Sequence, residues 1–70
     1  MIRGRIILGF PDAEGRSRIS VENEKGKYFI GTVEFRQSRY FPVDHNGFPV
    51  PGTFKTKRAA AAALRDGHYL

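Results

Sequence analysis

Residues 17–36 read SRISVENEKGKYFIGTVEFR, and this stretch decides the fold. Its first seven residues alternate, with Ile19 and Val21 on one face and Arg18, Ser20 and Glu22 on the other, the period of a half-buried strand. Glu24-Lys25-Gly26 then offers a three-residue hairpin loop whose last position calls for a positive φ. Across that loop Asn23 faces Lys27, Val21 faces Phe29 and Ile19 faces Gly31. Phe29, Val33 and Phe35 continue the apolar face, while Tyr28, Thr32, Glu34 and Arg36 point the opposite way.

C-terminal to this hairpin, residues 39–45 form a third strand, followed by Asn46-Gly47, a strong two-residue hairpin signal, and a return strand over residues 48–54. In that register His45 faces Phe48, Val43 faces Val50 and Phe41 faces Gly52. Pro42, Pro49 and Pro51 fall at non-hydrogen-bonded pairs, and the last strand, short of outward donors, reads as a sheet edge. Phe35 meets Phe41, and Val33 meets Val43, only across a loop of odd length; a two-residue turn at Gln37-Ser38 would turn Phe41 to the other face. Towards the N-terminus, residues 5–10 are a further strand candidate with no assigned partner, and residues 12–16 are turn-rich.

Thr56 reads as an N-cap, residues 57–66 as a helix, and Gly67 as its left-handed C-terminal residue, ahead of a short tail containing His68. A helix of about ten residues does not hold alone. Its alanines therefore pack on a sheet face carrying Phe29, Phe35, Phe41 and Phe54. The fold class is α+β: a three- to four-stranded antiparallel β-meander with one C-terminal α-helix packed on one face. The 70 residues make a single small domain.

The chain has 12 Lys and Arg against 7 Asp and Glu, a formal charge of +5, and no cysteine. The charge favours a polyanionic partner, nucleic acid or an acidic protein, and the missing thiols fit a reducing cytoplasm. No apolar run approaches the length of a membrane span, so the expectation is a protein with no membrane partner, present as a monomer or weak homodimer. Catalysis has no support, because there is no Gly-rich phosphate loop and no histidine pair at helical metal spacing. His45, beside Asp44 and Asn46-Gly47, reads as a turn histidine, and Asp12/Glu14 and Glu22/Glu24 as solvated acids. No enzyme activity, metal or cofactor is expected.

Two groups of residues suit nucleic acid. The sheet face away from the helix would carry Arg18, Tyr28, Thr32, Arg36, Tyr40 and Thr53, cations and aromatics suited to phosphates and bases. Lys55, Lys57 and Arg58 crowd the helix start, where the backbone dipole is already positive and an anion would relieve the repulsion.

The pattern of Tyr28-Phe29, Gly52-Thr53-Phe54, Thr56 and the alanine helix resembles AP2-like DNA-binding domains, including the arm-type-site domains of phage and transposon tyrosine recombinases. The likeness covers residues 27–66 and departs from that pattern in lacking Trp and in carrying Pro49 and Pro51. It implies a sheet inserted in the DNA major groove, with Tyr28, Thr32, Arg36, Tyr40 and Thr53 as contacts, DNA favoured over RNA, and an origin in a bacterium or mobile element. The same ending also occurs in small inhibitors that bind host proteins, which keeps an inhibitor or adaptor as the alternative.

Overall fold

The computed structural model describes residues 3–67. Four antiparallel strands, β1 (Arg5–Leu8), β2 (Arg16–Asn23), β3 (Gly26–Arg36) and β4 (Arg39–Asp44), lie side by side in chain order. One helix, α1 (Lys57–Asp66), covers one face. The architecture is the expected α+β meander, and its fourth strand is the N-terminal segment, pairing as Ile6↔Val21 and Leu8↔Ile19. The His68 tail lies outside the described residues.

The core is aliphatic. Ile19, Val21, Ile30 and Val33 form the floor, with Ala60, Ala61 and Leu64 of the helix as the roof. Each large aliphatic side chain buried this way contributes roughly 1.5–3 kcal/mol. Ile6, Leu8, Tyr28, Tyr40, Val50 and Phe54 pack around the rim of this cluster.

Three local events set which side chains face the helix, and each differs from the sequence expectation. The β2–β3 turn closes over Glu24-Lys25 alone, with Asn23 opposite Gly26, Val21 opposite Tyr28 and Ser20 opposite Phe29. Gly26 does take a positive φ, +136°. A bulge between Ile19 and Ser20 then restores the expected pairing of Ile19 with Gly31, and its extra residue, Ile30, is fully buried. The bulge thereby adds a buried aliphatic side chain next to Gly31, over which Leu64 and β4 close directly.

The β3–β4 connection is the two-residue turn at Gln37-Ser38, with φ of 52° and 61°, and Arg36 pairs with Arg39. Positive φ at both turn positions matches the twist of the flanking strands, as in a type I′ hairpin. Val33 therefore faces Pro42, Phe35 faces Tyr40 and Phe41 turns to the outer surface. The expected all-phenylalanine floor is not formed: Phe29 and Phe41 lie outside, and Tyr28 and Tyr40 take the helix side.

After β4, Asp44 N–H donates to the Phe48 carbonyl at 2.9 Å, so the loop holds His45, Asn46 and Gly47 rather than two residues. The return segment touches β4 through the isolated bridges Val43↔Pro49 and Tyr40↔Phe54, not as a continuous strand. Prolines at 49 and 51 remove the donors a longer ladder would need.

The helix has the expected bounds, and the Thr56 hydroxyl accepts the Ala59 N–H at 3.0 Å. Gly67 ends it at φ −90°, right-handed rather than left-handed, with its N–H donating to Ala63. Thr56→Ala is expected to cost about 1 kcal/mol. Thermal unfolding followed by circular dichroism would show this as a Tm lower by roughly 4–8 °C.

Candidate nucleic-acid interface

Strand register assigns the surface opposite the helix. Arg5 and Ile7 of β1, Arg16, Arg18, Ser20 and Glu22 of β2, Lys27, Phe29, Thr32, Glu34 and Arg36 of β3, and Arg39, Phe41 and Val43 of β4 share it. Two contacts organise this surface. The Arg18 guanidinium lies 4.2 Å from the centre of the Phe29 ring, and that of Arg36 lies 4.0 Å from the centre of Phe41. Each ring attracts its cation through the negative π face, an effect of about 0.5–1 kcal/mol at exposed sites. A guanidinium stacked this way keeps its N–H fork free at the edges for a phosphate or base.

Glu34 tempers the field. Its carboxylate sits 3.1 Å from Arg36 Nε and 3.6 Å from Arg16 Nε, and Glu22 pairs with Arg5 at 2.8 Å. Arg16 also reaches Glu14 at 3.0 Å. Arg5, Arg16, Arg18, Lys27, Arg36 and Arg39 still outnumber Glu22 and Glu34, so this face stays cationic. The pairs are solvent-exposed and worth at most about 1 kcal/mol each, which leaves the arginines available to a stronger anion.

The candidate residues divide between the two sides of the molecule. Arg18, Thr32 and Arg36 stand together on the outer face, as expected. Tyr28 and Tyr40 do not; both pack against the core on the helix side. The two-residue turns pass the outer positions to the neighbouring phenylalanines. Thr53 is exposed beyond β4, and its carbonyl accepts a hydrogen bond from Arg39 at 3.3 Å. Lys57 and Arg58 begin the helix, on the far side of the sheet, and Lys55 directly precedes its cap, Thr56. Their first turn contains no acidic residue. Phe29 and Phe41 are the aromatic residues that sequence parity assigned to the wrong face. The available signal was a pair of Tyr-Phe steps, each within reach of an arginine on the sheet.

The β1–β2 loop is held by Asp12, whose Oδ1 accepts the Glu14 N–H at 2.8 Å and the Arg16 N–H at 3.1 Å. The Arg16 and Glu14 amides hold its carboxyl below the usual aspartate value. This bracing is present at neutral pH and is lost as acid protonates the carboxylate.

Among the described residues no group of three or more His, Cys, Asp or Glu could hold a metal ion. No described helix is long and apolar enough to cross a membrane. Comparison with protein-family models, curated proteins and solved structures finds no match.

Proposed function

We propose that the protein binds nucleic acid, DNA in preference to RNA, through the outer face of its sheet. The observation that carries this reading is the pair of arginines seated on Phe29 and Phe41 in a surface where cations outnumber the two carboxylates, Glu22 and Glu34. Arg18 and Arg36 would hold backbone phosphates, the two phenylalanine rings would meet bases or sugars, and Thr32 between them would donate or accept. Arg36 lies four residues along β3 from Thr32, the partner of Arg18, a span of roughly 13 Å. That length matches a major groove about 12 Å wide, which admits β-ribbons. The resemblance to AP2-like domains implies the same mode of entry, with Thr32 and Arg36 the implied strand contacts that lie on this face. Lys55, Lys57 and Arg58 add to the overall attraction from the far side without contacting the same ligand.

The test is fluorescence anisotropy of a labelled duplex at rising salt. Neutralising three or four phosphates gives a log–log slope of roughly −3 to −4. Salt-independent binding, or none at low salt, would exclude the proposal.

A second reading, an inhibitor or adaptor on an acidic protein, is favoured by Glu34, which breaks the positive field between Arg16 and Arg36. Nuclease treatment separates the two, since a protein partner survives it and a nucleic-acid bridge does not. In either case the cysteine-free composition suits a reducing cytoplasm, where we place the protein.

A further inference from the structure

On the helix side, a cleft of about 300 Å³ opens between the start of α1 and the β1–β2 loop, lined by Pro11, Gly15, Ser17, Val33, Phe35, Tyr40 and Lys57. Two features of this cleft are not explained by the fold. Ser17 is 1% exposed, and its hydroxyl has no hydrogen-bond partner among the described residues. A buried hydroxyl without a partner weakens a protein, and alanine would fill the same place without that penalty. The second feature is Phe35. It stands 49% exposed beside Tyr40, ring centres 4.8 Å apart, although it shares the helix side with the core.

The remaining lining residues define a chemistry. Val33, Pro11 and the Phe35–Tyr40 pair are apolar or aromatic walls suited to a flat ring. Lys57 stands at the lip, where its ammonium reaches the Gly9 carbonyl at 3.5 Å and keeps two further N–H donors. The first amides of α1 add positive potential beside it, undiluted by any acidic residue in that turn. Asp12 braces the loop on the other side. The site is thus cationic at the mouth, aromatic along the wall and hydroxylic at the floor.

We propose that this cleft binds a small aryl acid that carries a polar substituent opposite the acid. The ring packs on Phe35, Tyr40, Val33 and Pro11, the anion meets Lys57 and the helix start, and the far substituent satisfies Ser17 Oγ. The cleft and the Arg–Phe surface lie on opposite sides of the sheet, so the ligand and nucleic acid would not compete for the same atoms.

The experiment is a ¹⁵N-edited NMR titration of the full chain with 4-hydroxybenzoate, 4-hydroxyphenylacetate and 3-(4-hydroxyphenyl)propionate, which differ only in tether length. At least one of them is expected to saturate, with shifts at Gly15, Ser17, Val33, Phe35, Tyr40 and Lys57. Lys57→Gln is expected to weaken that acid about tenfold and to leave its neutral amide unaffected. Ser17→Ala is expected to weaken the hydroxylated acid several-fold, to leave the analogue lacking the hydroxyl unchanged, and to hold or raise Tm. Failure of all three acids to saturate would overturn the proposal, as would equal binding by Lys57→Gln. A fall in Tm for Ser17→Ala would make the hydroxyl structural and would also overturn it.

Discussion

Gly31→Ala is expected to leave the protein largely unfolded at 37 °C. A Cβ on Gly31 would stand 2.2 Å from the Val43 carbonyl oxygen and 3.1 Å from Leu64 Cδ2, with φ at +149°. The nearest atom is backbone and the next belongs to a helix side chain that closes the core, so β4 and α1 would both have to move away. Backbone strain and overpacking together make a loss of about 3–4 kcal/mol or more. A chain this size has roughly 3–10 kcal/mol in total. Gly26→Ala is the control, because φ there is +136° but a new Cβ meets nothing within 4 Å. It carries strain alone, about 1–2 kcal/mol. Urea unfolding of the two variants isolates the clash; equal losses would mean that β4 and Leu64 do not close over Gly31.

Replacing Arg18 and Arg36 together by alanine is expected to weaken duplex binding by about 3 kcal/mol, roughly 100-fold at low salt. Each arginine supplies a charge-assisted contact, and each lost phosphate contact lowers the salt slope by about 0.9. Arg36→Ala also frees Glu34 from its 3.1 Å partner and adds a repulsive carboxylate to the face. The effect should be similar on every sequence if the contacts are to phosphate, and uneven if either fork reads base edges. Tyr28→Phe is the informative control: it removes a 3.5 Å hydrogen bond to the Lys25 carbonyl on the helix side and should leave affinity unchanged. Tyr28→Phe weakening DNA as much as the arginine pair would place the interface elsewhere. Thermal unfolding of all variants confirms that the loss is not one of folding.

The elements that sequence carried clearly were those governed by local chemistry. Thr56 capping an alanine run defined α1 to the residue, because the hydroxyl and the propensity act within one turn. The alternation from Ser17 to Asn23 placed Ile19 and Val21 correctly in the core, and the pairing of Ile19 with Gly31 was legible from the same pattern. What failed was parity across turns. The bulge at Ile30 has no local signature; it shows only in the pairing with β2, where Ile30 is the extra buried residue beside a Gly31 that Leu64 and β4 close over directly. Hydrophobic patterning disfavours the Gln37-Ser38 turn because that turn sends Phe41 outward, whereas the pattern buries the greasier ring.

The structure makes the opposite choice twice. At both Tyr28-Phe29 and Tyr40-Phe41 the tyrosine takes the rim of the core and the phenylalanine lies under an arginine. A phenylalanine with a cation over its face is only partly in water, so the cost of exposing it is reduced, and that long-range pairing is invisible to a count of apolar residues. The cleft was missed for the same kind of reason. Ser17 and Lys57 are forty residues apart, and although the alternation sets Ser17 on the face of Ile19 and Val21, nothing local brings Lys57 and Phe35 beside it.

The most direct measurement of the central claim is an NMR titration with a short DNA duplex that follows the side chains themselves. Nε–Hε signals of Arg18 and Arg36 and the ring signals of Phe29 and Phe41 should shift together and saturate at one concentration, while the amides of residues 57–59 and the Tyr28 ring stay in place. Shifts confined to the start of α1 and the tyrosines, or no shifts at low salt, would contradict it.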